Sequence, residues 1–159
     1  MFRMERKDME EVKIYRNIAG LQHIELFYLD TRTQGPAIIC LHGRWGRAET
    51  WYDFMQRYGK RCRVIAPDQR GHGLSGKPAS AYTGEEMAGD VAALLDYLGV
   101  RPAVVVGHSM GGRVAGYFAA LYPDYVSAAA ILDKSASASV QSKRLSAAET
   151  PVDPVTGRW

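Results

Sequence analysis

The sequence contains little cysteine: two residues in 159, Cys40 and Cys62. Each lies beside a short apolar run of the kind that forms a strand. Two cysteines in such surroundings do not make the disulfide framework of a small secreted domain. We therefore predict two buried free thiols in a protein of the reducing cytoplasm.

Long apolar runs and a charge excess are also missing. No run of eighteen apolar residues occurs, so we predict no membrane-spanning helix. The first sixteen residues, MFRMERKDMEEVKIYR, are too charged for the apolar core of a secretory signal. The net charge is only +3 and the basic residues are scattered, which argues against nucleic acid and membrane as partners.

Four short apolar runs are present, and they predict strands at 37–41 (AIICL), 63–67 (RVIAP), 103–107 (AVVVG) and 128–132 (AAAIL). The runs are continuous rather than alternating, which is typical of strands buried on both faces of a parallel sheet. Ahead of them, residues 12–30 contain two extended segments around Ala19 and Gly20. This pattern predicts an antiparallel hairpin that leads into the sheet.

Helical periodicity separates the apolar runs. The first predicted helix follows Thr50 as its N-cap, and its apolar stripe consists of Trp51, Phe54, Met55 and Tyr58. In the second, Thr83 and Glu86 form a capping box and Gly99 is the stop signal. The apolar stripe of this second helix consists of Met87, Val91, Leu94, Leu95 and Leu98.

A third helix is predicted to begin just after Ser109 and to end before Pro123. We expect it to bury Val114, Phe118 and Leu121. The alternation of apolar strands with amphipathic helices predicts an α/β domain with helices on both faces of the sheet.

The composition changes after residue 132. Residues 134–159 are rich in serine and alanine and show no apolar periodicity. We predict that residues 1–133 belong to the α/β core, whereas 134–159 form the start of a cap region or a flexible tail.

A candidate nucleophile stands between the third strand-like run and the third helix. Gly107-His108-Ser109-Met110-Gly111 matches G-x-S-x-G. A tight strand-to-helix turn at this motif lifts the serine hydroxyl clear of the sheet, and the helix N-terminus aims amides and partial positive charge at the site. A plain glycine-rich turn is the alternative, whereas a phosphate-binding loop has different spacing and a lysine that is missing here.

Two further loops follow neighbouring strands. Leu41-His42-Gly43-Arg44-Trp45-Gly46 can turn a backbone N–H, that of Arg44, toward a substrate carbonyl and so complete an oxyanion hole with the N–H of Met110. An ordinary strand-to-helix loop is the alternative. Asp68-Gln69-Arg70-Gly71-His72-Gly73-Leu74-Ser75 follows RVIAP. All three motifs stand at the carboxyl ends of predicted parallel strands, where open α/β sheets bind ligands.

Together the motifs LHG, DQRGHGLS and GHSMGG, over residues from about 12 to 133, resemble the α/β-hydrolase superfamily and its esterase-like branch. The resemblance implies an α/β-hydrolase fold, with a doubly wound, mostly parallel sheet and an antiparallel N-terminal hairpin, truncated after about six strands. It implies Ser109 as the nucleophile and the amides of Met110 and Arg44 as the oxyanion hole. The residues expected to support the loops are His42, Gly43, Asp68, Arg70 and His72.

The same resemblance limits the chemistry. Serine at position 109 speaks against the epoxide hydrolases and haloalkane dehalogenases of this fold, which use aspartate there. No H-x-H or H-E-x-x-H cluster occurs, so no metal is implied, and no organic cofactor is implied either.

The expected triad is incomplete. Members of the superfamily supply Ser, then an acid, then His along the chain, but no histidine follows His108. The others are His23, His42 and His72, and we expect none of the four to be the general base. Asp133, after the last apolar run, is a candidate triad acid or simply a carboxylate at a strand end.

The resemblance also implies that a seventh and an eighth strand are missing. The strand at 128–132 would then be an unprotected edge, which invites pairing with another chain. We therefore expect a complementing chain or self-association there, or instability of the chain alone.

These observations predict a serine hydrolase, specifically a carboxylesterase that cleaves a small ester through an acyl-enzyme. The alternative is an incomplete and catalytically idle hydrolase-fold module that binds or regulates. The missing histidine favours the module, whereas the intact serine motif and oxyanion loop favour the enzyme.

Overall fold

A computed structural model describes residues 11–132 of the chain, and within this range six strands form one sheet flanked by three helices. The strands are β1 (Tyr15–Gly20), β2 (Glu25–Asp30), β3 (Ala37–Leu41), β4 (Arg63–Pro67), β5 (Ala103–His108) and β6 (Val126–Leu132). The helices are α1 (Tyr52–Tyr58), α2 (Gly84–Leu98) and α3 (Met110–Leu121), with short 3-10 turns at Ala48–Trp51 and Pro123–Tyr125. All four predicted apolar strands are present.

The strand order in the sheet is β1-β2-β4-β3-β5-β6. The β1–β2 and β2–β4 pairs are antiparallel, whereas β4–β3, β3–β5 and β5–β6 are parallel. The predicted fold, a mostly parallel sheet with an antiparallel N-terminal hairpin, is confirmed. Parallel strands end at the same edge, so the loops that follow β3, β4 and β5 lie side by side.

The hairpin turn lies later than the sequence predicts. Ala19 and Gly20 belong to β1 and pair with Leu26 and Glu25, and the turn occupies residues 21–24. Ala19 is completely buried, so its methyl group contributes to the core and keeps this part of the chain in the strand.

The helices cover both faces of the sheet. On one face, α2 and α3 bury Leu94, Leu95 and Phe118 against the strands. On the other, the 3-10 turn and α1 bury Trp51 and Met55 against β2, β4 and β3. Each such side chain, fully buried, contributes roughly 1.5–3 kcal/mol of transfer free energy. The sheet is therefore doubly wound, as predicted.

The caps of α2 agree with the sequence. The Thr83 side chain accepts a hydrogen bond from the N–H of Glu86, and the Glu86 carboxylate accepts one from the Thr83 N–H. Gly99 ends the helix with the positive φ of 63° that glycine adopts at little cost.

The predicted cap of α1 is wrong. Helix α1 begins at Tyr52, and the preceding 3-10 turn begins after Arg47. Thr50 lies inside this turn, where its hydroxyl accepts a hydrogen bond from the N–H of Arg47 at 3.3 Å. The polar side chain thus closes the earlier turn instead of starting the α-helix.

The predicted burial of Leu121 is also wrong. Val114 and Phe118 are buried as expected, but Leu121 is the last residue of α3 and is 51% exposed. Tyr122 and Tyr125 instead pack their rings against Phe118, with centroid separations of 5.6 and 6.1 Å.

Both cysteines are free thiols, as predicted: Cys40 is completely buried, whereas Cys62 is only half-buried. Burial raises the pKa of the Cys40 thiol far above its ordinary value.

Between residues 11 and 132, no helix is long and apolar enough to span a membrane. The candidate acid Asp133 and the proposed cap or tail at 134–159 lie outside the described residues.

Candidate active site

Three loops meet at the carboxyl edge of the sheet, as the sequence predicts. They follow β3, β4 and β5, and β3 lies between the other two strands. The loop after β3 therefore separates the Asp68 loop from Ser109. This arrangement places the predicted oxyanion loop directly beside the predicted nucleophile.

Ser109 occupies a strained turn between β5 and α3. Its backbone has φ 53° and ψ −116°, a conformation that residues other than glycine rarely adopt and that costs on the order of 1–3 kcal/mol. The N–H of Ser109 donates to the Leu132 carbonyl at 3.0 Å, and its carbonyl accepts from the N–H of Gly112 at 2.9 Å. These bonds hold the turn, and the serine stays exposed. A strained strand-to-helix turn of this kind is the geometry that the predicted nucleophile elbow requires.

Two glycines make this turn possible because the backbone passes so closely. A Cβ on Gly107 would lie 2.1 Å from the carbonyl oxygen of Gly111. A Cβ on Gly111 would lie 2.2 Å from the carbonyl oxygen of Leu41. Both clashes are with main-chain atoms, which cannot rotate away as a side chain can. The structure therefore requires glycine at both glycine positions of G-x-S-x-G.

His42 is buried and locked in one neutral tautomer. The N–H of Gln69 donates to its Nε2 at 3.0 Å, so this nitrogen must carry the lone pair. Nδ1 therefore carries the proton and donates to the carbonyl oxygen of Gly43 at 2.7 Å. Burial is the main cause that lowers the pKa of His42 below its ordinary value. Both nitrogens are occupied, so His42 is not free to accept a proton from Ser109.

The His42 hydrogen bond orients the peptide between Gly43 and Arg44. In a trans peptide the C=O and N–H point in opposite directions, so holding the Gly43 carbonyl also fixes the N–H of Arg44. Between residues 11 and 132, neither this N–H nor that of Met110 donates a hydrogen bond. Two amides beside Ser109 are thus left for an external acceptor, which is the requirement for an oxyanion hole.

Asp68 braces the loop after β4. Its carboxylate is buried and accepts hydrogen bonds from the N–H of Ala48 at 2.7 Å and of Leu74 at 2.8 Å. The first bond ties this loop to the 3-10 turn before α1. Asp68 faces main-chain donors rather than a substrate, which is consistent with the supporting role predicted for it.

His72 connects the Asp68 loop to the oxyanion loop. Its Nδ1 lies 2.9 Å from the carbonyl oxygen of Arg70, and its Nε2 lies 2.5 Å from the carbonyl oxygen of Arg44. Through these two contacts the His72 ring bridges the carbonyl groups of Arg70 and Arg44. His72 also packs edge-on against His42, with ring centroids 5.0 Å apart.

Arg70 forms a buried ion pair that the motif alone does not reveal. Its Nε and Nη2 donate to the two carboxylate oxygens of Asp90 in α2, at 2.6 and 2.7 Å, and this bonding raises the pKa of Arg70. His23, in the turn between β1 and β2, adds a third contact to Asp90 at 2.8 Å. Asp90 belongs to none of the three motifs, although a carboxylate three residues after Met87 interrupts the apolar face of the helix and is a signal for a buried polar contact.

The chain contains four histidines, and none of them forms a hydrogen bond with Ser109. His108 precedes the serine and makes no side-chain hydrogen bond within residues 11–132. His23 belongs to the Asp90 cluster at the β2 side of the sheet, so β4 and β3 separate it from β5. Within residues 11–132, the candidate nucleophile Ser109 therefore has no histidine bonded to it.

An open cleft of about 490 Å³ surrounds the serine. Trp45 borders it and is 94% exposed. Its lining contains two arginines and no carboxylate, and consists of Gly43, Arg44, Trp45, Gly46, Thr50, His108, Ser109, Met110 and Arg113. A small substrate could therefore reach Ser109 and both free amides from solvent.

Comparison with known proteins assigns the family. The family model described as alpha/beta hydrolase fold matches residues 36–151, a range that includes all three loops and β3 to β6. The chain belongs to the α/β hydrolase fold family. The match confirms the resemblance that the sequence motifs indicate.

The relatives of this family member carry different hydrolase names. The 2-(acetamidomethylene)succinate hydrolase of Mesorhizobium japonicum is 39% identical over 62% of this chain and 36% of its own length. The bifunctional esterase/perhydrolase of Acinetobacter calcoaceticus is 36% identical over 69% of this chain and 40% of its own. The solved epoxide hydrolase CorEH superposes with a TM-score of 0.73 at 34% identity, covering 76% of this chain and 42% of that one. This chain thus spans about two-fifths of the length of the proteins it matches.

Proposed function

We propose that this chain carries the nucleophile half of a serine hydrolase, specifically a carboxylesterase that cleaves a small ester. The observation that carries the proposal is the strained Ser109 beside two amides, those of Arg44 and Met110, that have no acceptor between residues 11 and 132. Residues held in strained backbone conformations cluster at functional sites, active sites among them, which supports a catalytic role for Ser109. The esterase name of one relative supports the same choice.

The reaction uses these groups in order. Ser109 Oγ attacks the carbonyl carbon of the ester, its proton passes to a base, and the carbonyl oxygen becomes an oxyanion held by the amides of Arg44 and Met110. Collapse of this intermediate expels the alcohol, which takes up the proton, and leaves an acyl group on Ser109. Water then releases the acid by the same steps.

Epoxide hydrolysis is the rival that the CorEH likeness raises. A carboxylate that opens an epoxide forms an ester, which water can later cleave at its carbonyl carbon. Serine in the same role would form an alkyl ether, which has no carbonyl carbon for water to attack. Ser109 therefore favours acyl transfer over epoxide opening.

The general base is part of the proposal, and we place it on a further polypeptide segment that packs beside β6. Strand β6 pairs only with β5 in the described residues, and its side chains are mostly half-exposed. The relatives are more than twice as long as the stretch they share with this chain. A segment on this edge would protect the strand and lie next to Ser109, whose N–H already bonds the last residue of β6.

The open edge predicts that the chain associates in a concentration-dependent way. We expect the weight-average mass in sedimentation velocity to rise with protein concentration, because strand edges pair with one another when nothing else covers them. Ser127→Pro would remove an N–H from β6 on an exposed residue and should weaken the association. A sharply melting monomer at all concentrations would contradict the proposed open edge.

A hydrolase-fold module that binds without turnover is the second candidate, and the missing base within residues 11–132 favours it. The two candidates differ in the reactivity of Ser109. A fluorophosphonate added to the full chain should form a covalent adduct seen by intact mass. The adduct should be absent from Ser109→Ala and present in the matched exposed-serine variant Ser80→Ala.

The pH dependence of this labelling tests the origin of the base. A histidine base within the chain would give a rate that levels off above a pKa near its ordinary value of about 6.5. We expect instead a slow rate that keeps rising with pH, because no histidine bonds the serine. A plateau near neutral pH would contradict an external base, and no adduct on a folded chain would favour the idle module.

A further inference from the structure

The cleft around Ser109 is cationic. Arg44 and Arg113 line it, and no aspartate or glutamate does. The N-terminus of α3, twelve residues long, adds a partial positive charge at the same place. Since guanidinium groups stay charged at all ordinary pH values, this charge is permanent.

Neither arginine is neutralised by the described residues. Arg63 and Arg70 each bond a buried carboxylate, and Arg101 lies 3.5 Å from Asp96. By contrast, the Arg113 side chain contacts only the Tyr117 ring, at 5.9 Å from its centroid, and the Arg44 side chain makes no hydrogen bond or ion pair within residues 11–132. Both side chains are exposed and accessible to a ligand.

We propose that the cleft selects an ester bearing a carboxylate, and that Arg44 and Arg113 bind this carboxylate while the ester carbonyl lies at Ser109. The inference rests on the proposed hydrolase function and adds its substrate class. The planar guanidinium fork matches a carboxylate with two parallel hydrogen bonds. The free amides of Arg44 and Met110 are reserved for the ester oxygen, so the charged side chains are the groups left to bind an anion.

A pair of esters that differ in one charge tests the proposal. Monomethyl glutarate carries a free carboxylate, whereas dimethyl glutarate has the same skeleton and none. Binding to the full chain is measured by NMR chemical-shift titration in the Ser109→Ala variant, so that turnover does not interfere. We expect the monoester to bind about tenfold more tightly at low salt, since each of two contacts between an exposed guanidinium and the carboxylate is worth a factor of up to about five.

Removing the positive charge of either cleft arginine should weaken the preference for the monoester. Arg113→Gln and Arg44→Gln should each reduce the ratio of monoester to diester affinity several-fold, and added salt should reduce it in the unsubstituted chain. Arg57→Gln removes the same charge from an exposed position on α1 outside the cleft and should leave the ratio unchanged. Equal binding of the two esters, no binding of either, or an equal loss in Arg57→Gln would overturn the proposal.

The test is independent of catalysis. Fluorophosphonate labelling of Ser109 reports the proposed hydrolase function, whereas the affinity ratio in Ser109→Ala reports the carboxylate preference. A labelled chain without charge preference refutes only the substrate class. A charge preference without labelling leaves a carboxylate-binding cleft and refutes the activated serine.

Discussion

Gly111→Ala is expected to prevent the chain from folding stably. Its Cβ would lie 2.2 Å from the Leu41 carbonyl oxygen and 2.6 Å from that of His42, so β3 and α3 would have to separate. Overpacking against side chains costs about 1–3 kcal/mol, and a clash with two main-chain carbonyls belongs at or above the upper end. The free energy of unfolding, measured by urea titration with far-UV circular dichroism, should fall by about 3 kcal/mol or more.

Gly89→Ala is the matched control. Gly89 lies in α2, and its nearest neighbour for a new Cβ is the Tyr122 hydroxyl at 3.5 Å, an ordinary contact. Alanine is the better helix former, so this variant should be stabilised by about 0.5–1 kcal/mol. A Gly111→Ala chain as stable as Gly89→Ala would show that the backbones at the elbow do not approach so closely.

The second large effect is expected for Arg70→Met. The substitution keeps the volume of the side chain but leaves the Asp90 carboxylate, only 4% exposed, with a single contact to the half-exposed His23. Removing one partner of a buried ion pair typically costs about 3–5 kcal/mol. The free energy of unfolding from urea titration should fall by this amount. The Asp68 loop, which the ion pair connects to α2, should also lose order.

Two comparisons isolate the buried charge as the cause. Arg101→Met breaks an exposed pair with Asp96 and should cost less than about 1 kcal/mol. The double variant Arg70→Met, Asp90→Leu removes both charges and should recover much of the loss, because no carboxylate remains buried without its partner. If Arg70→Met costs no more than Arg101→Met, the pair does not hold the loop.

The strands and the elbow could be predicted because their signals are local. Continuous apolar runs bounded by polar residues located β3 and β4 to the residue, and the G-x-S-x-G glycines located Ser109 at the strand–helix junction. The capping box at Thr83 is likewise complete within four residues. Each of these features depends on residues that are neighbours in the sequence, so a single sequence is enough to predict it.

The errors concern contacts between distant segments. Whether Leu121 is buried depends on the tyrosines that follow it, and whether Thr50 caps a helix depends on where the preceding 3-10 turn begins. Asp90, which bonds Arg70, lies in α2, and His23, which also contacts Asp90, lies in the β1–β2 turn, far away along the chain. Neither hydrophobic periodicity nor a short motif specifies contacts between such distant residues, because only the assembled fold brings them together.

The candidate site likewise has features that the sequence predicts and features that depend on contacts between distant segments. The motifs predicted that Ser109 and the loop after β3 lie together at the carboxyl edge of the sheet. The tautomer of His42, which fixes the peptide carrying the Arg44 N–H, depends on the N–H of Gln69 in another loop. The two unpaired arginines became informative only when the described carboxylates proved to be bonded elsewhere or absent from the cleft.

The strand order has a consequence for synthesis on the ribosome. Strand β4 lies between β2 and β3, so the hairpin and β3 cannot join one sheet until β4 has been made. Afterwards the sheet grows only outward from β3, first by β5 and then by β6. At about 5–20 residues per second, the stretch between β4 and β5 takes on the order of seconds to synthesise. Throughout that time the backbone N–H and C=O groups that β3 later pairs with β5 remain unpaired in the nascent chain.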